Sequence, residues 1–210
     1  MDKPVMERLR YRGPEINDLG VRVERFVVKP DEDKDFGEFI AHLVHESVGR
    51  GCPPGIYSAL RVDDVLWMSD TTSERRDHRD PVVVADMFRG RNGLVTGLGL
   101  GCVVGAMLDS LEHVDVIEKD DRIIDTVGEW YRETYGDRVT IIHADALAYR
   151  WPKGMRWNIV WHDIWPKLSP LNLPEMATLH RRYGSRCDWQ GSWGEAFCKW
   201  MREVEDGWGS

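Results

Sequence analysis

The residues of this 210-residue chain that could do chemistry gather after position 94. Residues 94–101 read Leu-Val-Thr-Gly-Leu-Gly-Leu-Gly, and Glu118 closes Val-Asp-Val-Ile-Glu 21 positions after Gly97. A buried strand, a glycine turn, a helix and a second strand ending in a carboxylate would produce that pattern. Glycines at Gly97, Gly99 and Gly101 let backbone approach a ligand, and a carboxylate at Glu118 suits the two hydroxyls of a ribose. Spacing narrows the ligand. The dinucleotide pattern G-x-G-x-x-G needs a glycine where Cys102 stands, counted from Gly97, or where Val104 stands, counted from Gly99. The chain has G-x-G-x-G instead. Two further carboxylates follow apolar runs: Asp145 in His143-Ala144-Asp145-Ala146, and Asp163 in Trp161-His162-Asp163-Ile164-Trp165-Pro166. Asp145 suits either the exocyclic amine of adenine or the cap of a helix. Asp163 is the candidate for orienting or deprotonating a nucleophile, while alternation along the strand turns His162 to the opposite face.

The elements that must hold these residues alternate from Leu94 onward. Strands are predicted at Leu94–Gly97, Val114–Glu118, Val139–His143 and Asn158–Asp163, with helices at Val103–Ser110 and Asp121–Tyr135 and a turn at Ala146–Tyr149. Such alternation builds a parallel sheet, and ligands bind outside the carboxyl ends of its strands at the switch point. Pro166, Pro170 and Pro174 mark a loop over that edge, followed by a helix at Pro174–Tyr183, a short strand at Trp189–Ser192 and a helix from Gly194 to Glu205. Only 47 residues follow Asp163, so the expected α/β sheet is a shortened one in the order 3-2-1-4-5.

Earlier segments read as a small extension over residues 1–90, ahead of a domain over 91–210. It holds a strand at Val21–Lys29, an acidic turn at Asp31–Asp35, and a helix at Phe36–Val48 capped by Asp35. Glycines and prolines break the chain at Gly49–Gly55. Ile56–Arg61 and Val65–Met68 flank Val62-Asp63-Asp64 as a β-hairpin. Ser69–Arg79 reads as a polar loop, and Asp80-Pro81 as the cap and first turn of a helix to about Phe88.

Lys plus Arg is 28 against 36 for Asp plus Glu, a net charge of −8, which argues against a general grip on nucleic acid. Arg75, Arg76, Arg79, Arg89 and Arg91 read as a solvated cluster. The four cysteines are scattered without C-x-x-C, giving neither a disulfide framework nor a zinc site; reduced thiols in a cytoplasm fit. His42 and His45 share a helix face but lack a third ligand, so no metal is expected. No opening segment resembles a signal peptide, and no apolar run approaches a membrane helix. Eight of the ten tryptophans lie after residue 150. Trp157, Trp200 and Trp208 are assigned to packing, and Trp165 either to packing or to a wall against a cationic or planar substrate.

Over residues 94–165 the chain resembles the class I S-adenosylmethionine-dependent methyltransferases, which use the G-x-G-x-G form of the loop on a Rossmann-type sheet. The resemblance implies S-adenosyl-L-methionine at Gly97, Gly99, Gly101, Glu118, Lys119, Asp145 and Ala146, with Asp163 as the catalytic residue and a small or modest-sized nucleophile as acceptor. The order hairpin, polar loop, short helix and glycine-loop strand is also similar to the spermidine synthases, with Tyr57, Leu60, Val62, Asp63 and Glu74 matching their hairpin and acidic loop. That likeness implies a homodimer. Leu100 and Pro166 stand where that family carries aspartates, Trp67 replaces its hairpin glutamine, and the Tyr-His-Glu that follows is absent. These departures weigh against aminopropyl transfer from decarboxylated S-adenosylmethionine, which stays the second reading. Strand 4 lacks the Asn/Asp-Pro-Pro-Tyr/Phe motif of methyltransferases acting on nucleic-acid amines. A third reading, from a different class, is a protein that binds the nucleoside without turnover.

Overall fold

The computed structural model describes residues 3–29 and 52–208. The sequence-predicted acidic turn, the helix at Phe36–Val48 with its Asp35 cap, and the pair His42 and His45 lie outside those residues.

Apolar runs buried on both faces build the parallel sheet. Its strands are β5 (Asn92–Thr96), β6 (His113–Glu118), β7 (Val139–His143), β8 (Trp157–His162) and β9 (Cys187–Ser192). They lie in the order β7-β6-β5-β8-β9 with every neighbour parallel, the expected 3-2-1-4-5. Successive residues serve opposite faces. Val95, Val116 and Ile159 join one core, and Leu94, Ile117 and Val160 join the other. The chain is thus a Rossmann-type α/β protein with an antiparallel hairpin sheet beside the parallel one.

Helix α4 (Cys102–Leu108) follows the glycine loop, and all seven of its residues are buried. It is covered by β5 and β6 on one side and by α1 (Val5–Arg8) and α3 (Arg79–Met87) on the other. Residues 121–135 form the next helix, α5, whose middle turn Ile124–Gly128 is π-helical. Helices α6 (Leu173–Tyr183) and α7 (Glu195–Trp208) flank β9 in sequence.

Before residue 90, β1 (Ile16–Asp18), β2 (Val21–Val28), β3 (Gly55–Val62) and β4 (Val65–Ser69) form an antiparallel sheet. Asp63 and Asp64 make the β3–β4 turn with φ of +50° and +64°, a conformation for which short polar side chains are the usual non-glycine choice. Val21, Val23, Leu60 and Val62 of this sheet pack into the same core as Val95 and Leu100. Arg8, almost wholly buried, donates to Asp86 (2.7 and 3.0 Å), the Ala106 carbonyl (2.6 Å) and Ser110 Oγ (3.0 Å), tying α1 to α3 and α4.

Several local expectations are corrected. The segment read as a polar loop contains helix α2 (Thr72–Asp77). Its polar side chains are buried because they satisfy one another: Glu74 accepts from Ser69 N (2.8 Å) and Ser69 Oγ (2.9 Å). Helix α3 begins at Arg79 after His78, which places Asp80 inside its first turn rather than at the cap. Arg75 leaves the solvated cluster: it is buried and donates to the Met6 carbonyl at 2.7 Å. Trp157 is packed as expected, its Nε1 donating to Asp115 at 2.7 Å, whereas Trp200 on α7 is 55% exposed. Among the described residues no helix is long and apolar enough to cross a membrane, and no group of His, Cys, Asp and Glu is arranged to hold a metal ion.

Candidate functional site

The carboxyl ends of β5, β6, β7 and β8 open into a cavity of about 550 Å³, within the range of small-molecule sites. Gly97 and Gly99 of the loop, Glu118 at the end of β6 and Lys119 after it, Asp145 and Ala146 after β7, and Asp163 after β8 all line it. Gly101 is not among the lining residues. It caps α4 with φ +71°, and a Cβ there would stand 2.3 Å from the Tyr131 ring. Tyr131 Oη in turn donates to the Gly101 carbonyl at 2.6 Å.

Gly97 is demanded by the switch point itself. With φ +92°, its Cβ would fall 1.8 Å from the Asp163 carbonyl oxygen, so only glycine lets the β5 and β8 ends meet this closely. Asp163 lies one residue beyond β8 rather than ending it, and its amide donates to the Thr96 carbonyl at 2.8 Å.

Glu118 is buried, and its carboxylate serves the backbone. One oxygen accepts from Leu98 N (2.7 Å) and the other from Lys119 N (2.7 Å) and Asp120 N (2.9 Å). An ionised carboxylate has about four acceptor positions, so three are taken in pinning the glycine loop to the end of β6. At least one position remains on the cavity side. No helix follows Asp145, which instead braces the turn after β7: Oδ1 accepts from Leu147 N at 2.9 Å, and Oδ2 accepts from Lys119 Nζ at 2.9 Å. Lys119 and the Leu147 amide hold Asp145 below the usual carboxylate range, and Asp145 raises Lys119 in return. Both side chains stand in water, so this pair adds little to stability.

The largest surprise is contributed by the extension. His78 Nε2 lies 2.7 Å from Asp163 Oδ2, and Nδ1 lies 2.8 Å from the Glu74 carbonyl oxygen. Burial alone would depress the imidazole, but the neighbouring Asp163 carboxylate outweighs it and raises His78 to about 9. Burial pushes the Glu74 carboxyl up to about 7, against the Ser69 hydrogen bonds that favour its charged form. Met68, from β4, places its sulfur 3.1 Å from the Leu100 amide, over the glycine loop. Sequence reasoning quoted Glu74 only as a family match and missed His78 and Met68. The Nδ1 contact is to the Glu74 backbone carbonyl, which any residue at 74 would supply, so only helical spacing links the two positions.

Aromatic rings close the remaining sides. Trp165 lines the cavity and donates from Nε1 to Glu175 Oε2 at 2.7 Å. Trp193 lines it too, and its indole N–H is buried without a partner among the described residues. His162 faces away as predicted, fully buried near Thr96 Oγ1 (3.2 Å), and burial lowers it to about 3.

No protein-family model and no curated protein matches the chain. Among solved structures, the CcbJ methyltransferase from Streptomyces caelestis is similar at 17% identity and a TM-score of 0.43, covering 53% of this chain and 45% of that one. The N-methyltransferase NodS from Bradyrhizobium japonicum WM9 is similar at 14% identity and a TM-score of 0.43, covering 54% and 62%. A dimethyladenosine transferase from Plasmodium falciparum is similar at 21% identity and a TM-score of 0.35, covering 40% and 30%. The chain thus spans less than two thirds of the length of each of these structures. What its side chains can do is set by the geometry of the cavity, not by overlaps of this extent.

Proposed function

We propose that the chain is an S-adenosylmethionine-dependent methyltransferase acting on a small or modest-sized nucleophile. One observation carries the reading: a single cavity at the switch point is lined by the glycine loop and by Glu118, Asp145 and Asp163, each at or just beyond the end of a different strand. The lining fits the ligand. Ile117, Ala144, Ala146 and Leu147 give an apolar slot for a purine beside Asp145. Glu118 keeps an acceptor position for a ribose hydroxyl.

When bound, S-adenosylmethionine supplies a methyl group on a sulfonium, which a nucleophile takes by in-line displacement. Holding the partners aligned accounts for most of such an acceleration, and the chain's residues are suited to that. Glu118 keeps the loop in one shape, Trp165 and Trp193 exclude water, and Asp163 offers an acceptor for the nucleophile's N–H or O–H. Leu100 and Pro166 are apolar where aminopropyltransferases carry aspartates for an amine-bearing ligand, and Pro166 lines this cavity, which favours methyl over aminopropyl transfer.

The test is calorimetry with S-adenosylmethionine, its decarboxylated form, S-adenosylhomocysteine and NAD, followed by transfer of a labelled methyl group to a panel of small amines, alcohols and acids. Preference for NAD overturns the reading. Preference for the decarboxylated donor moves it to aminopropyl transfer, and binding without turnover moves it to a nucleoside-binding protein.

A further inference from the structure

His78 stands where two distant parts of the chain meet. It follows α2 of the extension, and Asp163 follows β8 of the parallel sheet, 85 residues later. Its Nδ1 faces a backbone carbonyl at 2.8 Å and its Nε2 faces a carboxylate at 2.7 Å. Both groups accept hydrogen bonds and neither donates when the carboxylate is ionised, so both contacts are satisfied together only by a ring carrying two protons. The side chain is 5% exposed. It stacks on Trp193 with ring centres 5.9 Å apart and meets Trp161 edge-on at 6.1 Å. These contacts leave the ring little freedom to turn. The titratable groups facing it are Asp163 and Glu74, while β8 and the segment after β9 present only the two tryptophans.

Asp163 is differently placed. Its side chain is 18% exposed and borders the cavity. One oxygen is engaged by His78, and among the described residues no other hydrogen bond to the carboxylate is made.

We propose that His78 is a positioning residue that fixes the Asp163 carboxylate, charged and with one oxygen occupied, so that the other oxygen is presented to the acceptor. This rests on the reading of the cavity as a methyl-transfer site. It assigns Asp163 a narrower task than general base. With His78 on one oxygen, the carboxylate meets the acceptor's N–H or O–H through the other and holds it in line. The extension thereby supplies the residue that fixes the reacting carboxylate.

The test uses the full chain as wild type, Asp163→Asn, His78→Gln and His78→Ala. In protein labelled with ¹³C histidine, the ring signal of His78 is followed against pH without ligand. The wild type should titrate near 9. In Asp163→Asn burial acts unopposed, and the midpoint should fall by more than about two pH units, to below the ordinary histidine value of about 6.5. A wild-type midpoint at or below that value overturns the proposal. Crystal structures of the two His78 variants read the positioning directly. Glutamine keeps an N–H for Oδ2 and should leave the Asp163 carboxylate where it is, while alanine should release it to another rotamer. An unchanged carboxylate in His78→Ala overturns the proposal. Should His78→Ala not fold, the titration in the near-isosteric Asp163→Asn still decides. Neither measurement needs an adenosyl ligand, so failure of the methyl-transfer reading would show separately, in calorimetry of the wild type.

Discussion

Glu118→Gln separates two roles for the carboxylate at the end of β6. If Glu118 chiefly contacts a ribose, the change costs ligand affinity and leaves the free protein as stable as before. The structure assigns it more: amides of Leu98, Lys119 and Asp120 all donate to it, at 2.7, 2.7 and 2.9 Å. Hydrogen bonds to a charged acceptor are worth about 1.5–3 kcal/mol each. Glutamine keeps one acceptor oxygen and turns the other position into a donor, so it can serve Leu98 or the Lys119–Asp120 pair but not both. One or two charge-assisted bonds are lost, and water entering from the cavity recovers part of that cost. The net loss is about 2–4 kcal/mol, which for a chain of this size lowers Tm by about 5–15 °C. Thermal melts and urea titrations without ligand read this directly, with Glu133→Gln on the exposed face of α5 as the surface control. A Glu118→Gln variant melting within about 2 °C of wild type, yet binding S-adenosylmethionine tenfold more weakly, would refute the pinning role and restore the ribose as its main partner.

Gly97→Ala sets a Cβ 1.8 Å from the Asp163 carbonyl at a positive φ; strain and overpacking together should cost about 3–5 kcal/mol in urea denaturation, and a loss under about 1 kcal/mol would mean the β5 and β8 ends separate easily. The His78 value of about 9 lies above its unfolded value, so its stabilisation is complete below pH ~6.5 and vanishes as pH rises through about 9. Melts should therefore lose on the order of 3 kcal/mol across that window, with His78→Gln lacking this fall. Glu74, also raised, adds a decline of the same sign between pH ~4.5 and about 7, which Glu74→Gln should abolish. Arg8→Ala removes the hydrogen bonds to Asp86, which Ser110 still serves, and to the Ala106 carbonyl, and should cost about 1–3 kcal/mol, read as a shifted urea midpoint; a change under about 0.5 kcal/mol would make α1 dispensable.

What was legible in the sequence is what one element encodes by itself. Val95, Val116 and Ile159 alternate with Leu94, Ile117 and Val160 because both faces of the sheet are covered, and that pattern survives any choice of partners. Asp63-Asp64 announces a turn because the backbone there needs positive φ. Illegible were the places where polar groups are buried against each other. Ser69, Asp70, Thr71, Ser73 and Glu74 look like solvated loop, yet all are buried. Asp70 accepts from Tyr11 N at 3.0 Å and Ser58 N at 2.5 Å, partners no local window contains. The position of Glu118 could be read, but its choice of backbone amides over open cavity could not. Trp200 failed in the opposite direction, an aromatic on α7 that meets the Phe197 ring at 5.5 Å and is otherwise mostly exposed.

The extension and the parallel sheet depend on each other for the site. The sheet edge alone brings carboxylates together: Glu118 ends β6, and Asp145 and Asp163 follow β7 and β8. Each is then tempered by a different neighbour. Glu118 is tied to amides, Asp145 to Lys119, and Asp163 to His78, and the last of these partners comes from the extension. Met68 and Trp67 come from the same hairpin and border the same cavity. Helix α4 could not stay buried without this arrangement, because α1 and α3 cover the side that the sheet leaves open. The loop before α4 carries the glycines, so the packing of α1 and α3 onto α4 and the pairing of His78 with Asp163 act on the same few residues. Arg8, which binds α1, α3 and α4 together, therefore bears on the shape of a site whose lining it does not join.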